Sequence, residues 1–269
     1  MNQSKLRLSL KGADLELLAN RYDKAVFGKE IYDLKSLRLD NRIERLAIDD
    51  ELNRVAKMHR IDGITARIST HKKRERYWLQ QAGFYFVETV LHPWLDLTKG
   101  VASNESPISI RDARESDLDA LERIAYTAFG NERYHQDRNY DDELANKRYA
   151  DWVVMAIKTE ADQKVITLTS DNRVIGFCIY EIQKEGELCY WHLNAIDPML
   201  QGMGLGKLGW QAMLSFHERQ NARMIKTTIT SANTRVLSLY SRLGFRFENT
   251  ETTFHWVKSQ GNIEHSVMG

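Results

Sequence analysis

A 22-residue segment occurs twice in this chain, and its recurrence constrains the fold more than any other feature. Residues 68–89 read ISTHKKRERYWLQQAGFYFVET, and residues 229–250 read ITSANTRVLSLYSRLGFRFENT. Each copy reads as a strand, a helix, a glycine suited to a left-handed helix end, and a strand with alternating aromatic residues. Two such copies predict a duplicated architecture. At a constant offset of 161 positions the identical pairs are Ile68/Ile229, Arg74/Arg235, Gly83/Gly244, Phe84/Phe245, Phe86/Phe247 and Thr89/Thr250.

The chain between the two copies is predicted to contain a linker followed by strands and helices. A polar stretch over 101–109 contains one of only three prolines and predicts a linker or sheet edge. A strand and two amphipathic helices follow, the second over 145–157, and then several meandering strands. We therefore place a domain boundary near residue 105, which divides the chain into lobes 1–105 and 106–269.

Composition excludes several classes of function. The formal net charge is +1, so no basic surface for nucleic acid or for an anionic membrane is expected. The two cysteines, Cys178 and Cys189, lie in apolar strand-like runs, which predicts buried free thiols and neither a disulfide nor a metal site. The first twelve residues lack the apolar core of a signal peptide, and no stretch approaches membrane-spanning length. We expect a soluble, cytoplasmic protein.

A glycine-rich stretch, IDPMLQGMGLGKLGW, covers residues 196–210 and leads into a predicted helix. A Walker loop would need a glycine where Gln201 stands and a hydroxyl where Leu208 stands. The spacing Gly204-x-Gly206-x-x-Gly209 fits a dinucleotide fingerprint, but the acidic residue expected about twenty positions later is missing. The pattern Q-x-x-G-x-G fits a loop whose backbone amides and helix N-terminus bind a pyrophosphate.

With this loop, residues 107–257 resemble the GCN5-related N-acetyltransferase (GNAT) family, which uses acetyl-CoA. The resemblance continues in NTRVLSLYSRLGF, residues 233–245. It implies an α/β (α+β) GNAT fold with a mixed, mostly antiparallel sheet flanked by helices, preceded by a partial GNAT-like lobe. It implies acetyl-CoA as co-substrate, without a metal, and the following cofactor-binding residues: Leu193, Asn194, Ala195, Ile196, Gln201, Gly202, Met203, Gly204, Leu205, Gly206, Lys207 and Asn233.

The same resemblance implies catalytic roles. A neutral amine attacks the thioester carbonyl, an oxyanion develops and a thiolate leaves, so positioning dominates. The amide of Ile196 is expected to bind the oxyanion, and Tyr240 is expected to act as general acid to the thiolate. His192 is a candidate general base, Glu181 and Glu187 are comparable, and water alone is a further alternative.

The acceptor is inferred from the first lobe and from one loop. Lobe 1–105 has Lys72 where the second copy has Asn233, and Leu79 where it has Tyr240, so we expect no CoA site there. The partial lobe, an I-R-x-A-x-x-x-D opening and the stretch AFGNERYHQD resemble the TDP-fucosamine acetyltransferase group. This implies a nucleotide-linked amino sugar as acceptor, bound through the loop residues Arg133, Tyr134 and His135.

Two alternatives stay open on the sequence. The chemistry could serve a different amine, namely a protein N-terminus, an amino acid, a polyamine or an antibiotic. A non-catalytic sensor of acyl-CoA would be expected to lose Tyr240 or the donor strand, and this chain keeps both. A homodimer is possible.

Overall fold

The computed structural model describes residues 4–40, 48–100, 107–159 and 162–258. The chain divides into two compact units, unit 1 with residues 1–87 and 251–269 and unit 2 with residues 88–250. The predicted boundary near residue 105, and residues 101–106 of the predicted linker, lie outside the described residues. The division into lobes 1–105 and 106–269 therefore stays a prediction.

Unit 1 is a sheet with helices over one hydrophobic core. Its sheet has the order β1-β2-β3-β4-β12, with β3 and β4 parallel and the other neighbours antiparallel. The second and third helices pack against this sheet through Leu52, Trp78 and Leu79, which are fully buried. Its elements are β1 (Lys5–Leu10), β2 (Ala13–Ala19), α1 (Arg21–Phe27), β3 (Ile31–Leu39), α2 (Ile48–Met58), β4 (Gly63–Ser69), α3 (Lys73–Gln81), the start of β5 (Tyr85–Asp96) and the end of β12 (Arg246–Val257).

Unit 2 has a sheet of the order β5-β10-β9-β8-β7-β6, with β11 paired to β5. Strands β6 to β9 form an antiparallel meander, and β10 lies parallel to β9. The mixed, mostly antiparallel sheet predicted from the sequence is confirmed. Besides the remaining parts of β5 and β12, the elements are β6 (Ser109–Asp112), α4 (Leu118–Ala128), α5 (Asp142–Lys158), β7 (Gln163–Ser170), β8 (Arg173–Gln183), β9 (Leu188–Ile196), α6 (Leu205–Arg219), β10 (Met224–Thr227), β11 (Ile229–Thr230) and α7 (Thr234–Arg242).

Two separate hydrophobic clusters cover the two faces of the unit 2 sheet. Helices α4 and α5 pack on one face, where Phe177, Ile179 and Leu193 are buried. Helices α6 and α7 belong with the other cluster, which contains Trp191 and Tyr240. This alternation along β8 and β9 follows from the period of two in a strand. The two cysteines are buried and free, as predicted.

The I-R-x-A-x-x-x-D opening has a structural explanation. The Arg111 guanidinium donates to both Asp117 carboxylate oxygens, at 2.6 and 2.9 Å, and the Arg114 amide donates to the same carboxylate at 2.9 Å. Asp117 is buried, and its pKa lies below the ordinary value chiefly because of the Arg111 hydrogen bonds. The motif therefore fixes the passage from β6 into α4.

The predicted duplication is present in the secondary structure. Helix α3 and helix α7 have the same bounds at an offset of 161 residues, and so do β5 and β12. Strand β4 corresponds in the same way to the span from the start of β10 to the end of β11. Helices α2 and α6 both end two residues before a left-handed residue, Arg60 and Asn221, which are also 161 apart.

None of the helices in the described ranges is both long and apolar enough to cross a membrane.

Helix α6 carries a buried histidine that predicts sensitivity to acid. His217 is fully buried, its Nδ1 lies 3.5 Å from Cys189 Sγ, and its Nε2 has no partner among the described residues. Burial lowers the pKa of His217 to about 3. The unfolded chain binds this proton near pH 6.5 and the folded chain does not, so the group's contribution to stability is complete above pH 6.5 and declines as the pH falls towards 3.

We therefore expect His217→Leu to flatten the dependence of the free energy of unfolding on pH below 6.5, by up to about 1.4 kcal/mol per pH unit. Urea denaturation at pH 7, 6, 5 and 4 measures this slope. The same substitution at exposed His59 serves as the control. Equal slopes for wild type and His217→Leu would contradict the assignment.

Candidate active site

The candidate site is built on the end of β9, where the strand loses one neighbour. The parallel ladder between β9 and β10 ends at the pair Trp191 and Thr227. In the ladder with β8, Trp191 is opposite Tyr180 and Leu193 is opposite Ile179, so His192 is an extra, bulged residue. A bulge bends its strand and re-aims side chains. Beyond it, residues 193–196 pair with β8 on one side only, within the ladders of the described residues.

The backbone of this segment has a defined direction. The Asp197 amide donates to the Ile175 carbonyl of β8 at 2.8 Å. Since amides alternate along a strand, those of Ala195 and Leu193 also point to β8, and those of Asn194 and Ile196 point to the open edge. A Cβ at Gly176 on β8 would overlap the Ala195 carbonyl oxygen, so the glycine permits this close pairing. The Ile196 amide is thus available as the predicted oxyanion donor.

The glycine loop follows directly and ends at an uncapped helix. Gly204 is the N-cap of α6, with φ 77° and no side chain to accept from the first amides of the helix. Gly202 is also left-handed, with φ 86°. No atom lies within 4 Å of a Cβ placed at Gly202, Gly204 or Gly206, so the space beside the loop is open. Free helix amides and the helix dipole favour an anion here.

The other predicted loop residues lie around this helix start. Gln201 and Lys207 are exposed, and Met203 is 66% exposed. The Arg235 side chain of α7 donates to Gln201 Oε1. The loop is therefore tied to α7. Asn233 is the N-cap of α7, with its Oδ1 accepting from the Val236 amide at 3.2 Å, so it has a structural function in addition to the predicted contact with CoA.

Tyr240 lies against the same end of β9. It is 2% exposed, and its ring packs on Phe245 at 4.6 Å between centroids. Burial raises the pKa of Tyr240 to about 12, and the neighbouring side chains of Trp210, Thr227 and Asn194 moderate this increase. Trp210 Nε1 is nevertheless buried without a hydrogen-bond partner among the described residues, so its proximity to Tyr240 is a contact and no formed hydrogen bond.

His192, the other predicted catalytic residue, lies on the face of the sheet against which α5 packs. Its Nε2 lies 3.1 Å from Glu181 Oε2, and its ring centroid lies 6.3 Å from that of Trp152 on α5. Burial lowers the pKa of His192, and Glu181 acts in the opposite direction. Glu181 is also held by Gln183 Nε2 at 2.9 Å. The structure thus pairs two of the candidate bases but sets them on the face opposite α6 and α7.

The predicted acceptor residues lie between α4 and α5. Tyr134 is fully buried, so the ring of this predicted acceptor-binding residue is not presented to solvent. The Arg133 guanidinium lies 4.7 Å from the centre of the Tyr134 ring, and that of Arg148 lies 5.4 Å from it. His135 Nε2 contacts Asn146 Oδ1 at 2.9 Å, while its buried Nδ1 has no hydrogen-bond partner among the described residues. Two guanidinium groups thus lie near one buried aromatic ring at this loop.

Sequence reasoning missed an ion pair at the joint between β9 and the glycine loop. Arg123 on α4 donates to the buried Asp197 carboxylate at 2.6 Å. This hydrogen bond holds the pKa of Asp197 below its ordinary value, against the effect of burial. The partners are 74 residues apart and fit no short motif. No sequence signal would have identified them.

The structure thus brings together the end of β9, the glycine loop, Asn233 and Tyr240, and sets His192 and the loop of Arg133 to His135 on the α4 and α5 side. Gln136 of that loop reaches Thr230 Oγ1 of β11 at 3.5 Å. The described ranges contain no group of three or more His, Cys, Asp or Glu side chains arranged to hold a metal ion.

Comparisons with known proteins show which sequences this chain resembles. Residues 118–245 match the model of the Acetyltransferase (GNAT) family. A dTDP-fucosamine acetyltransferase from Escherichia coli O6:H1 is 26% identical over 197 residues, which cover 72% of this chain and 80% of that protein. The spore coat polysaccharide biosynthesis protein SpsD from Bacillus subtilis is 21% identical over 236 residues, which cover 87% of this chain and 80% of that one.

The fold also matches solved structures. The crystal structure of a GCN5-related N-acetyltransferase from Sphaerobacter thermophilus aligns with a TM-score of 0.62 at 15% identity, over 93% of this chain and 78% of that one. The open edge of β9, the glycine loop and the family match agree on one conclusion. The chain carries a GNAT domain of an α/β GNAT fold and is an acetyl-transferring enzyme that resembles the TDP-sugar acetyltransferases.

Proposed function

We propose that this enzyme transfers the acetyl group of acetyl-CoA to the amino group of a nucleotide-linked amino-deoxy sugar. The observation that carries the proposal is the open edge of β9, which leads through the glycine loop into the uncapped N-terminus of α6. The GNAT family uses acetyl-CoA, and the relative from Escherichia coli is a dTDP-fucosamine acetyltransferase. Both support the assignment.

The glycine loop would hold the pyrophosphate of acetyl-CoA. Its glycines leave open space, and the first amides of α6 lack a capping side chain. The amides of Asn194 and Ile196 would then bind the extended arm and the acetyl carbonyl along the open edge. Fixed amide donors stabilise an oxyanion without reorganisation during the reaction.

Tyr240 would act on the leaving sulfur. With a pKa of about 12, the phenol keeps its proton at neutral pH. Complete transfer to a thiolate of ordinary basicity, with a pKa of about 8.5, is uphill from such a phenol. The main contribution of Tyr240 is therefore a hydrogen bond donated to the sulfur as its charge develops while the carbon–sulfur bond breaks.

The attacking amine must lose a proton, and His192 with Glu181 is the candidate pair for accepting it. When Glu181 accepts from Nε2–H, the lone pair of His192 lies on Nδ1, the form a base needs. The lowered pKa of His192 keeps the ring neutral at neutral pH. The pair lies on the side of β9 where the Arg133 loop also lies, which is where the acceptor would enter.

The Arg133 loop would bind the acceptor. Arg133 and Arg148 flank the Tyr134 ring, and the buried Nδ1 of His135 is a polar atom without a partner among the described residues. Guanidinium groups suit phosphate oxygens. Tyr134 would then support Arg133 from below, while Arg133 and His135 contact the acceptor.

We expect unit 1 to have no CoA site of its own. Unit 1 repeats the strand pattern of unit 2. The parallel ladder between β3 and β4 ends at Leu34, and the next residue, Lys35, is a bulge, as His192 is in β9. However, Leu79 stands where the repeat has Tyr240 and is fully buried in the core. Lys72 takes the N-cap position of Asn233 and makes no side-chain cap. The counterpart of the glycine loop lies outside the described residues.

The loop assignment predicts that a negative charge at Gly204 weakens acetyl-CoA binding. We expect Gly204→Asp to raise the Kd at least about 10-fold above that of Gly204→Asn, because a carboxylate would face the pyrophosphate. Asparagine has the same shape and tolerates the left-handed backbone equally, so it is the matched control. Isothermal titration calorimetry measures both values, and equal Kd values would contradict the assignment.

The role of Tyr240 predicts a loss of turnover. We expect Tyr240→Phe to lower kcat about 100-fold, the size of one hydrogen-bond donor to a developing negative charge, with little change in the KM for acetyl-CoA. Tyr180→Phe, at a buried tyrosine of the same core, controls for packing. Thiol release followed with a thiol-reactive dye measures kcat. Wild-type turnover in Tyr240→Phe would show that the sulfur leaves unaided.

The acceptor assignment predicts which amine is consumed. A panel of TDP- and UDP-linked amino sugars, free amino acids, polyamines and peptides is incubated with acetyl-CoA, and we expect thiol release with an amino-sugar nucleotide. Efficient acetylation of another amine, with the nucleotides inert, would refute the proposed acceptor. Binding of acetyl-CoA without turnover of any amine would refute the proposed reaction.

In the same assay, Arg133→Ala removes a charge-assisted donor to the acceptor. We expect the KM for the acceptor to rise about 10-fold, while the KM for acetyl-CoA stays constant. Arg138→Ala, an exposed arginine of the same loop, is the control.

A further inference from the structure

The buried carboxylate of Asp197 lies where β9 ends and the glycine loop begins. Asp197 Oδ1 accepts from the Met199 amide at 3.0 Å and thereby caps the short 3₁₀ turn Pro198–Leu200. Its own amide donates to the Ile175 carbonyl at 2.8 Å, and its carbonyl accepts from the Leu200 amide at 2.9 Å. Asp197 thus fixes the direction in which the chain leaves β9.

The remaining carboxylate oxygen is held from another element. Asp197 Oδ2 accepts from Arg123 Nη2 at 2.6 Å, and Arg123 projects from the middle of α4. The Asp197 side chain is 8% exposed, while that of Arg123 is 51% exposed. Helix α4 leads into the loop of Arg133. The ion pair therefore connects the start of the glycine loop with the helix that precedes the candidate acceptor loop.

We propose that Arg123 and Asp197 are positioning residues, whose ion pair holds the glycine loop in the orientation that binds the donor pyrophosphate. Neither side chain needs to touch the donor. This inference rests on the proposed function, because it assumes that acetyl-CoA binds the loop. It assigns to the pair an effect on donor affinity that a purely structural salt bridge would not have.

The consequence is a change in KM without a change in chemistry. A glycine loop has few side-chain contacts of its own, so its orientation depends on the residues at its ends. Without Arg123, the loop would populate other orientations, and the apparent Kd would rise in inverse proportion to the fraction of loop that stays competent. Once acetyl-CoA is saturating, turnover by the same β9 edge and Tyr240 would be unchanged.

The test uses Arg123→Gln, Asp197→Asn and the double variant in the full chain. We expect each single variant to raise the Kd and the KM for acetyl-CoA about 5- to 10-fold, as for one partly exposed charged hydrogen bond, with kcat within about 2-fold. The double variant should add little to the single variants, since both remove the same pair. Arg123→Gln leaves the cap by Asp197 intact, so it remains informative if Asp197→Asn folds poorly.

The exposed pair of Lys147 and Asp151 on α5 supplies the control, with Lys147→Gln and Asp151→Asn expected to leave the Kd unchanged. Wild-type acetyl-CoA affinity in both single variants would refute the inference alone. A lowered Tm with kcat reduced as much as kcat/KM would also refute it, since that indicates a general structural role. A wild-type protein that fails to bind acetyl-CoA would refute the proposed function and this inference with it.

Discussion

Strand β9 has two neighbours along its first half and one along its second, and this loss of a partner shapes the whole candidate site. Residues before His192 pair with both β8 and β10, while residues 193–196 pair with β8 only. Unpaired amides in a protein interior are costly, so a strand edge of this kind needs a ligand or solvent. An extended ligand with amide and carbonyl groups satisfies it as another strand would. In the proposed reaction, main-chain groups would therefore bind the acetyl group, and side chains would assist them.

Side chains at the ends of elements keep this edge in place. Arg111 with Asp117 fixes the entry to α4, and Arg123 with Asp197 fixes the exit from β9. In both pairs the carboxylate is buried and the arginine is partly exposed. Each carboxylate also accepts from a main-chain amide within three residues, so the charge pair and the turn support each other. Precise geometry at the site therefore depends on a few polar joints outside it.

Much of the architecture could be predicted from sequence because it depends on local signals. The repeated segments gave their helices and strands through apolar period, the glycines Gly83 and Gly244, and aromatic alternation. The glycine loop was recognisable because its glycine spacing is also a local signal. The bulge at His192 could not be predicted, because it depends on how β9 pairs with β8. The register of a strand pair depends on both strands and cannot be read from one of them. The burial of Tyr134 was also missed, because sequence gives the type of a loop residue but not what covers it.

The pairing of β4 with β12 has a consequence for how the protein is made. Residues 63–69 form an antiparallel ladder with residues 251–257, which the ribosome adds only after the whole of unit 2. At about 5–20 residues per second, β4 waits on the order of 10 to 40 seconds for this partner. During that time one edge of a hydrophobic strand stays open to pairing with other chains. The sheet of unit 1 is thus completed only after unit 2 has been synthesised, and loss of residues 251–257 would leave β4 without this partner.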